Sequence, residues 1–429
     1  MNLRRLRTIA AVLLVLGSAA GARAQVSFQS LVAVGDSLAA GYTSASLVET
    51  HQRNSVPALI ARQAGASSFE QPLVTEPGLP PELRLVTLFP VPLIARKSGS
   101  SGSPANFDLP RPYNNLAVPG ATSVDVLTRV TDAGGFHDLI LRGRGTQVQQ
   151  AASLQPTFIL LWVGNNDVLA AAVRGQAIDG VTLTPTATFR VVYGQIVADL
   201  RATGATIVAA NLPDVTTIPF LNTIAPVVVD PRTGQPVTVN GQTVPLIGPQ
   251  GPITSDTLVT IPASTLLAQG VGIPTGLGGQ GTPLPDQVIL DPNEQAIIRD
   301  HVSANNQAIR DICGGAGIPV VDVNGLLGDV ATEGLVVGGI RLSSDFLSGG
   351  IFSYDGIHPT ELGYALVANE WIDAINGAGG SVPRVNLETF VFGTQARSVR
   401  AASKRYTPFE LTQQAWDALL TVFPPVSDR

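Results

Sequence analysis

The chain of 429 residues is 45% hydrophobic and 14% charged, long and apolar enough to bury one large core or a core carrying sizeable insertions. Its 26 lysines and arginines are outnumbered by 32 acids, which argues against a nucleic-acid partner. A single cysteine, Cys313, excludes an intramolecular disulfide and a cysteine-rich zinc site, so stability has to come from packing.

Residues 1–24 have the three-part layout of a secretory signal peptide: a basic start with Arg4, Arg5 and Arg7, an apolar run over 9–16, and small residues ending at Ala24. The run is well short of the roughly 20 residues a spanning helix needs. Cleavage after Ala24 is therefore expected, giving a secreted or periplasmic protein with no integral membrane span. It removes four arginines and no acids, leaving 22 basic residues against 32 acids and a net charge near −10. Arg4-Arg5 hints at twin-arginine export, but a basic start explains the pair equally well.

Short apolar runs at 30–34, 115–118, 157–163, 206–210 and 319–323 are too short for helices and read as buried parallel strands. Helical patterns lie between several of them, notably at 186–201 and 292–312. The second has a start signal, with Asp291 as cap, Pro292 at the first position and Glu294 completing a capping box, and it repeats Ile298, Val302, Ile309 and Ile312 on one face. Strand and helix alternation predicts an α/β fold with a parallel sheet covered on both faces.

Two stretches break the rhythm, at about 66–112 and 214–288. The second is rich in Pro, Gly, Thr and Val, has Arg232 as its one basic residue, and carries turn signals at 230–234 and Asn240-Gly241. It reads as a loop-rich insertion with small β-structure, or more specifically as a lid or substrate-binding wall. A tail over about 381–429 carries no readable motif.

Candidate chemistry gathers at the ends of the predicted strands. Ser37, in Gly35-Asp36-Ser37-Leu38, follows the first strand directly, where α/β sheets place their ligands. Taken alone it is an ordinary turn serine or a helix cap. A serine hydroxyl becomes a useful nucleophile only beside a general base. The candidate base is His358, three residues after Asp355 on a loop that Gly356 allows to turn, so that the carboxylate can hold one ring nitrogen while the other faces Ser37. Pro359 then suits the first position of a helix with Leu362, Ala365 and Leu366 inward. His301 reads as a surface residue of the 292–312 helix, and His51 and His137 lack a comparable setting.

A developing oxyanion needs donors, and two strand ends can supply them. One is the segment leading to Gly120, whose backbone can approach a ligand closely; the other is Gly164-Asn165-Asn166-Asp167, with its side-chain amides. Either alone reads equally well as a strand-to-helix turn.

In this order the four segments resemble the SGNH, or GDSL, hydrolase family. Gly35-Asp36-Ser37-Leu38 is similar to its nucleophile block, Gly120 to its glycine block, Gly164-Asn165-Asn166-Asp167 to its Gly-x-Asn-Asp block and Asp355-Gly-Ile-His358 to its Asp-x-x-His block. Asn211-Leu212-Pro213 is similar to a segment of the larger lipolytic members. The resemblance implies a three-layer α/β/α sandwich, flavodoxin-like, with a mostly parallel five-stranded sheet over about 25–380. It further implies Ser37, Asp355 and His358 as catalytic residues and an oxyanion hole from the backbone N–H groups of Ser37 and Gly120 and the side-chain amide of Asn166. Asn165 would occupy a variable position, and Asp36 and Asp167 would shape their own turns. The implied activity is hydrolysis of carboxylic esters of small-molecule or lipid type, with no metal and no cofactor. Acyl transfer through the same intermediate and a surface binding protein that kept the fold without the activity are the competing readings.

Overall fold

The computed structural model describes residues 26–66, 68–87, 92–393 and 410–428. The expected signal peptide lies outside the described residues. Strands β1 (Leu31–Gly35), β2 (Phe158–Trp162), β3 (Thr206–Ala210) and β4 (Val320–Val321) pair in that spatial order, all parallel and in consecutive register. The expected strand at 115–118 is an extended segment along the free edge of β1. Leu116 N–H donates to the Ala33 carbonyl at 2.9 Å and Val118 N–H to that of Gly35 at 3.1 Å, but only Asn115 forms a bridge, to Ala33. The Asn115 side chain accepts from its own neighbour, Ala117 N–H, at 3.2 Å, and such local bonds compete with a regular ladder. With this segment counted, chain order across the sheet runs second, first, third, fourth, fifth, as in flavodoxin-like folds.

The strands are apolar throughout because both faces are covered. Leu31, Ala33, Phe158, Leu160, Trp162, Val208 and Ala210 pack with α2 (Val56–Gln63) and α6 (Glu361–Gly377) through Leu59, Ile60, Tyr364, Trp371 and Ile372. The alternate residues Val32, Val34, Ile159, Leu161, Ile207 and Ala209 face α4 (Thr186–Arg201) and α5 (Pro292–Ala316), meeting Phe189, Tyr193, Ile196, Ile298, Val302 and Ile309. The start of α5 is as expected, with Asp291 accepting from Asn293 and Glu294 N–H and Glu294 reaching back to Asp291 N–H. It runs one turn further than the periodicity indicates, to Gly317 in the left-handed conformation.

Helix α6 begins differently. Thr360, not Pro359, meets its first turn, accepting from Gly363 N–H at 3.1 Å. Pro359 stays outside the helix because its carbonyl accepts from the Thr43 hydroxyl at 3.2 Å and its backbone bridges to Phe352. Leu362, Ala365 and Leu366 are buried as expected.

The first insertion contributes an antiparallel pair, Leu83–Thr87 with Leu93–Arg96, to which Glu410–Leu411 of the tail adds in parallel. The second folds around its own small core of Val228, Leu246, Val259, Leu284, Val288 and Ile289. Its turn signals make two hairpins, and Asn240 and Gly241 both adopt the positive φ that a two-residue loop requires.

His51 joins the first insertion to α6. Its Nε2 lies 2.8 Å from Glu82 and its Nδ1 3.0 Å from Glu361, and Lys97 also pairs with Glu82. Burial disfavours the charged imidazole, but the two carboxylates outweigh it and push its pKa up to about 9. A pKa raised above the ordinary 6.5 means stability that is fully present below 6.5 and lost as pH rises through about 9. Urea midpoints should therefore fall between pH 6.5 and 9 in the wild type, and His51→Gln should remove most of that fall.

Candidate active site

Ser37 opens the one-turn helix α1 (Ser37–Ala40) directly after β1. Asp36 caps it, Oδ1 accepting from Leu38 N–H at 3.1 Å, while its Oδ2 accepts from the Asn165 side chain at 2.8 Å. Burial dominates at Asp36 and lifts its pKa to about 6, with the Asn165 hydrogen bond pulling the other way. Gln147 fixes the end of β1 by accepting from Gly35 N–H at 3.0 Å.

Asp355 and His358 share one loop, as their spacing indicates. The carboxylate accepts from His358 Nδ1 at 2.9 Å and from the backbone N–H groups of Ile357, at 2.9 Å, and His358, at 2.8 Å. The Ser353 hydroxyl and Ala45 N–H complete its surroundings. Burial works to raise its pKa, but the neighbouring imidazole and the hydrogen bonds outweigh that and hold it below the ordinary carboxylate value. His358 Nε2 is buried with no hydrogen-bond partner among the described residues.

The loop after α1 links the Ser37 helix to this pair. Tyr42 N–H donates to the Ser37 carbonyl at 3.1 Å, and the Tyr42 ring meets the His358 imidazole edge-on at 4.9 Å between centroids. Next to it, Thr43 donates to Pro359, Ser44 N–H to the Ser353 hydroxyl at 2.9 Å, and Ala45 N–H to Asp355 at 2.8 Å. Three consecutive residues thus bind the serine segment to the histidine loop. Ser37 is 1% exposed and His358 0%.

The two candidate oxyanion segments meet at the same end of the sheet. Gly120 has φ +83°, a conformation suited to glycine. Asn166 lies at the start of α3 (Asn166–Arg174) and donates one amide hydrogen to the Ala121 carbonyl at 2.9 Å, beside Gly120. Asp167 joins the segments more firmly, accepting from the Ser123 N–H at 2.8 Å and its hydroxyl at 2.7 Å. Asp167 thus acts across 44 residues of sequence. Asn165, at the variable position, likewise bridges to Asp36.

The remaining histidines are placed elsewhere. His137 pairs with Asp132 at 2.9 Å, not with its neighbour Asp138. His301 is more enclosed than a surface residue, between the Ile297 carbonyl and Asp179. Asn211 is structural, its amide donating to Asp322 at 2.7 Å. Among the described residues, no group of three or more His, Cys, Asp and Glu side chains could hold a metal ion. No described helix is long and apolar enough to cross a membrane.

Sequence reasoning missed the tail's part in this site. Helix α7 (Gln413–Val422), capped by Thr412, and the following Phe423 lie against it, Phe423 stacking on the His358 ring at 5.8 Å. Ala415, Trp416, Leu419 and Phe423, at helical spacing behind a threonine, were the available signal.

A parallel sheet with helices on both faces and these segments at one end of it have the three-layer α/β/α architecture of an SGNH hydrolase. The family described as GDSL-like Lipase/Acylhydrolase matches residues 31–371, and the chain belongs to it. A comparison with curated protein sequences finds no match. Among solved structures, the chain is similar to a lipase/acylhydrolase from Enterococcus faecalis, at 13% identity over 83% of this chain and 97% of that one, TM-score 0.34. It is also similar to phospholipase A1 from Streptomyces albidoflavus NA297, at 13% over 81% and 98%, TM-score 0.34. A third is the family 3 carbohydrate esterase of Clostridium thermocellum, at 12% over 82% and 98%, TM-score 0.33.

Replacing Asp167 by Ala leaves the two buried Ser123 donors without their acceptor. Each stranded donor costs about 1–3 kcal/mol. The variant should unfold at a clearly lower urea concentration than the wild type, and an unchanged midpoint would show that the link between the segments is dispensable.

Proposed function

We propose that this chain hydrolyses carboxylic esters through an acyl-enzyme on Ser37. The observation that carries the reading is the buried Asp355–His358 pair, bonded through Nδ1 with Nε2 unpaired, bound by residues 43–45 to the helix that begins at Ser37. As Ser37 Oγ attacks the ester carbonyl, His358 Nε2 takes its proton; Asp355 fixes the tautomer and stabilises the imidazolium. The backbone N–H groups of Ser37 and Gly120 and the Asn166 amide stabilise the tetrahedral oxyanion. His358 returns the proton to the leaving alkoxide, then activates a water that releases the acid and frees the serine. None of these steps calls for a metal or an organic cofactor.

The second insertion supports an apolar acyl or alcohol group. Phe220 N–H donates to the Gly356 carbonyl at 2.9 Å, inside the Asp355–His358 loop, and Ile261 N–H donates to the Phe220 carbonyl at 2.9 Å. A segment of low charge thereby stands as a wall beside the proposed base, which suits lipid-like or other hydrophobic esters. The basic, apolar and small-residue zones of 1–24 support export and cleavage after Ala24, to the periplasm or medium.

A chain-length series of p-nitrophenyl esters tests the reading. Ser37→Ala and His358→Ala should each lower kcat by about 10³-fold or more, and Asn166→Ala by about 10²–10³-fold. Equal hydrolysis by Ser37→Ala and wild type would overturn the mechanism, and the preferred chain length sizes the acyl site.

A further inference from the structure

The C-terminal segment lies where an ester would have to bind. A Cβ on Gly120 would collide with the Val422 carbonyl oxygen, so the tail backbone rests directly on the glycine assigned to the oxyanion hole. The next residue, Phe423, is fully buried with its ring nearly parallel to the His358 imidazole, at 20°. Seven residues earlier, Trp416 stacks on Phe220 of the apolar wall at 5.9 Å. The Val422 carbonyl oxygen thus fills the space on the Cα side of Gly120, beside the N–H assigned to the oxyanion. An acyl or alcohol group cannot reach His358 Nε2 while Phe423 covers the ring.

The segment is held by specific contacts from several parts of the fold. Arg174, at the end of α3, donates to the backbone carbonyls of Leu420 at 3.3 Å and Phe423 at 3.1 Å. Thr265 of the second insertion donates to the Leu411 carbonyl at 2.5 Å. Leu411 also pairs with Ile94 of the first insertion, and Ser427 N–H donates to the Val181 carbonyl at 3.2 Å. Ala415 and Leu419, on the inner face of α7, are fully buried.

Resting on the proposed ester hydrolysis at Ser37, we infer that residues 410–428 are an intramolecular competitor of the substrate. Val422 takes the place of the ester carbonyl, and Phe423 and Trp416 take the places of its apolar groups. Turnover then requires the tail to leave, and the apparent rate is the open-form rate multiplied by the fraction of molecules that are open. The places vacated by Phe423 and Trp416, against His358 and Phe220, are apolar and aromatic, which assigns the released site to a hydrophobic ester.

The test uses the full chain, with Phe423→Ser, Trp416→Ala and wild type compared by p-nitrophenyl butyrate hydrolysis and by the rate of labelling with a fluorophosphonate. Both variants should show kcat/KM and labelling rates raised, by at least about tenfold for Phe423→Ser if no more than about a tenth of wild-type molecules are open. A synthetic peptide of residues 410–429 should slow Phe423→Ser again by raising KM without lowering kcat. Trp416 is only half-buried, so its variant decides the matter if Phe423→Ser loses its far-ultraviolet circular dichroism. Variants no faster than wild type, in a chain that hydrolyses and is labelled, overturn the competitor and leave the Ser37 reading intact. No hydrolysis and no labelling in any form overturns that reading, and the competitor with it.

Discussion

The site depends on the buried Asp355 carboxylate. A charge taken out of water costs several kcal/mol even after relaxation unless partners replace its hydration. Here the partners are His358 Nδ1, three backbone N–H groups and the Ser353 hydroxyl. One of those N–H groups belongs to Ala45, on the loop that leaves the Ser37 helix. The group that orients the imidazole therefore also ties together two segments some 310 residues apart in sequence. Satisfying the charge and assembling the site are one event.

Two further carboxylates extend the same logic around the sheet end. Asp36 draws Asn165 to the serine turn, and Asp167 draws Ser123 to the start of α3. Both are fully buried. The four strand-end segments are thus cross-linked pairwise by buried polar contacts, which are strong because water cannot compete for them. Asp36, with its pKa lifted to about 6, marks where burial exceeds compensation.

The elaborations surround that frame. The second insertion touches it through Phe220 and Gly356, whose φ of +70° brings the loop backbone against the Phe220 backbone. The first insertion is joined to α6 by the His51 ion cluster and to the tail by a short strand pairing. The tail rests on all three, so its position follows from the insertions as much as from the hydrolase core.

The sequence by itself determined the parallel α/β frame, because strands buried on both faces must be apolar at every position and α5 carries its own start signal. It also determined which residues gather at the site, since Ser37, Gly120 and Asn166 sit at turns that follow such runs and Asp355 and His358 share the loop that leads into α6. Short-range rules reach that far, as the three-residue spacing of Asp355 and His358 illustrates. They misplace the start of α6, where a tertiary bond from Thr43 to Pro359 overrides the local preference of proline. Partners distant in the chain leave no local trace: Asn165 with Asp36, Asp167 with Ser123, His51 with two glutamates. Only the tertiary structure decided that a tail with no motif lies over Gly120 and His358, because complementarity between a helix face and a cleft exists only once both have folded.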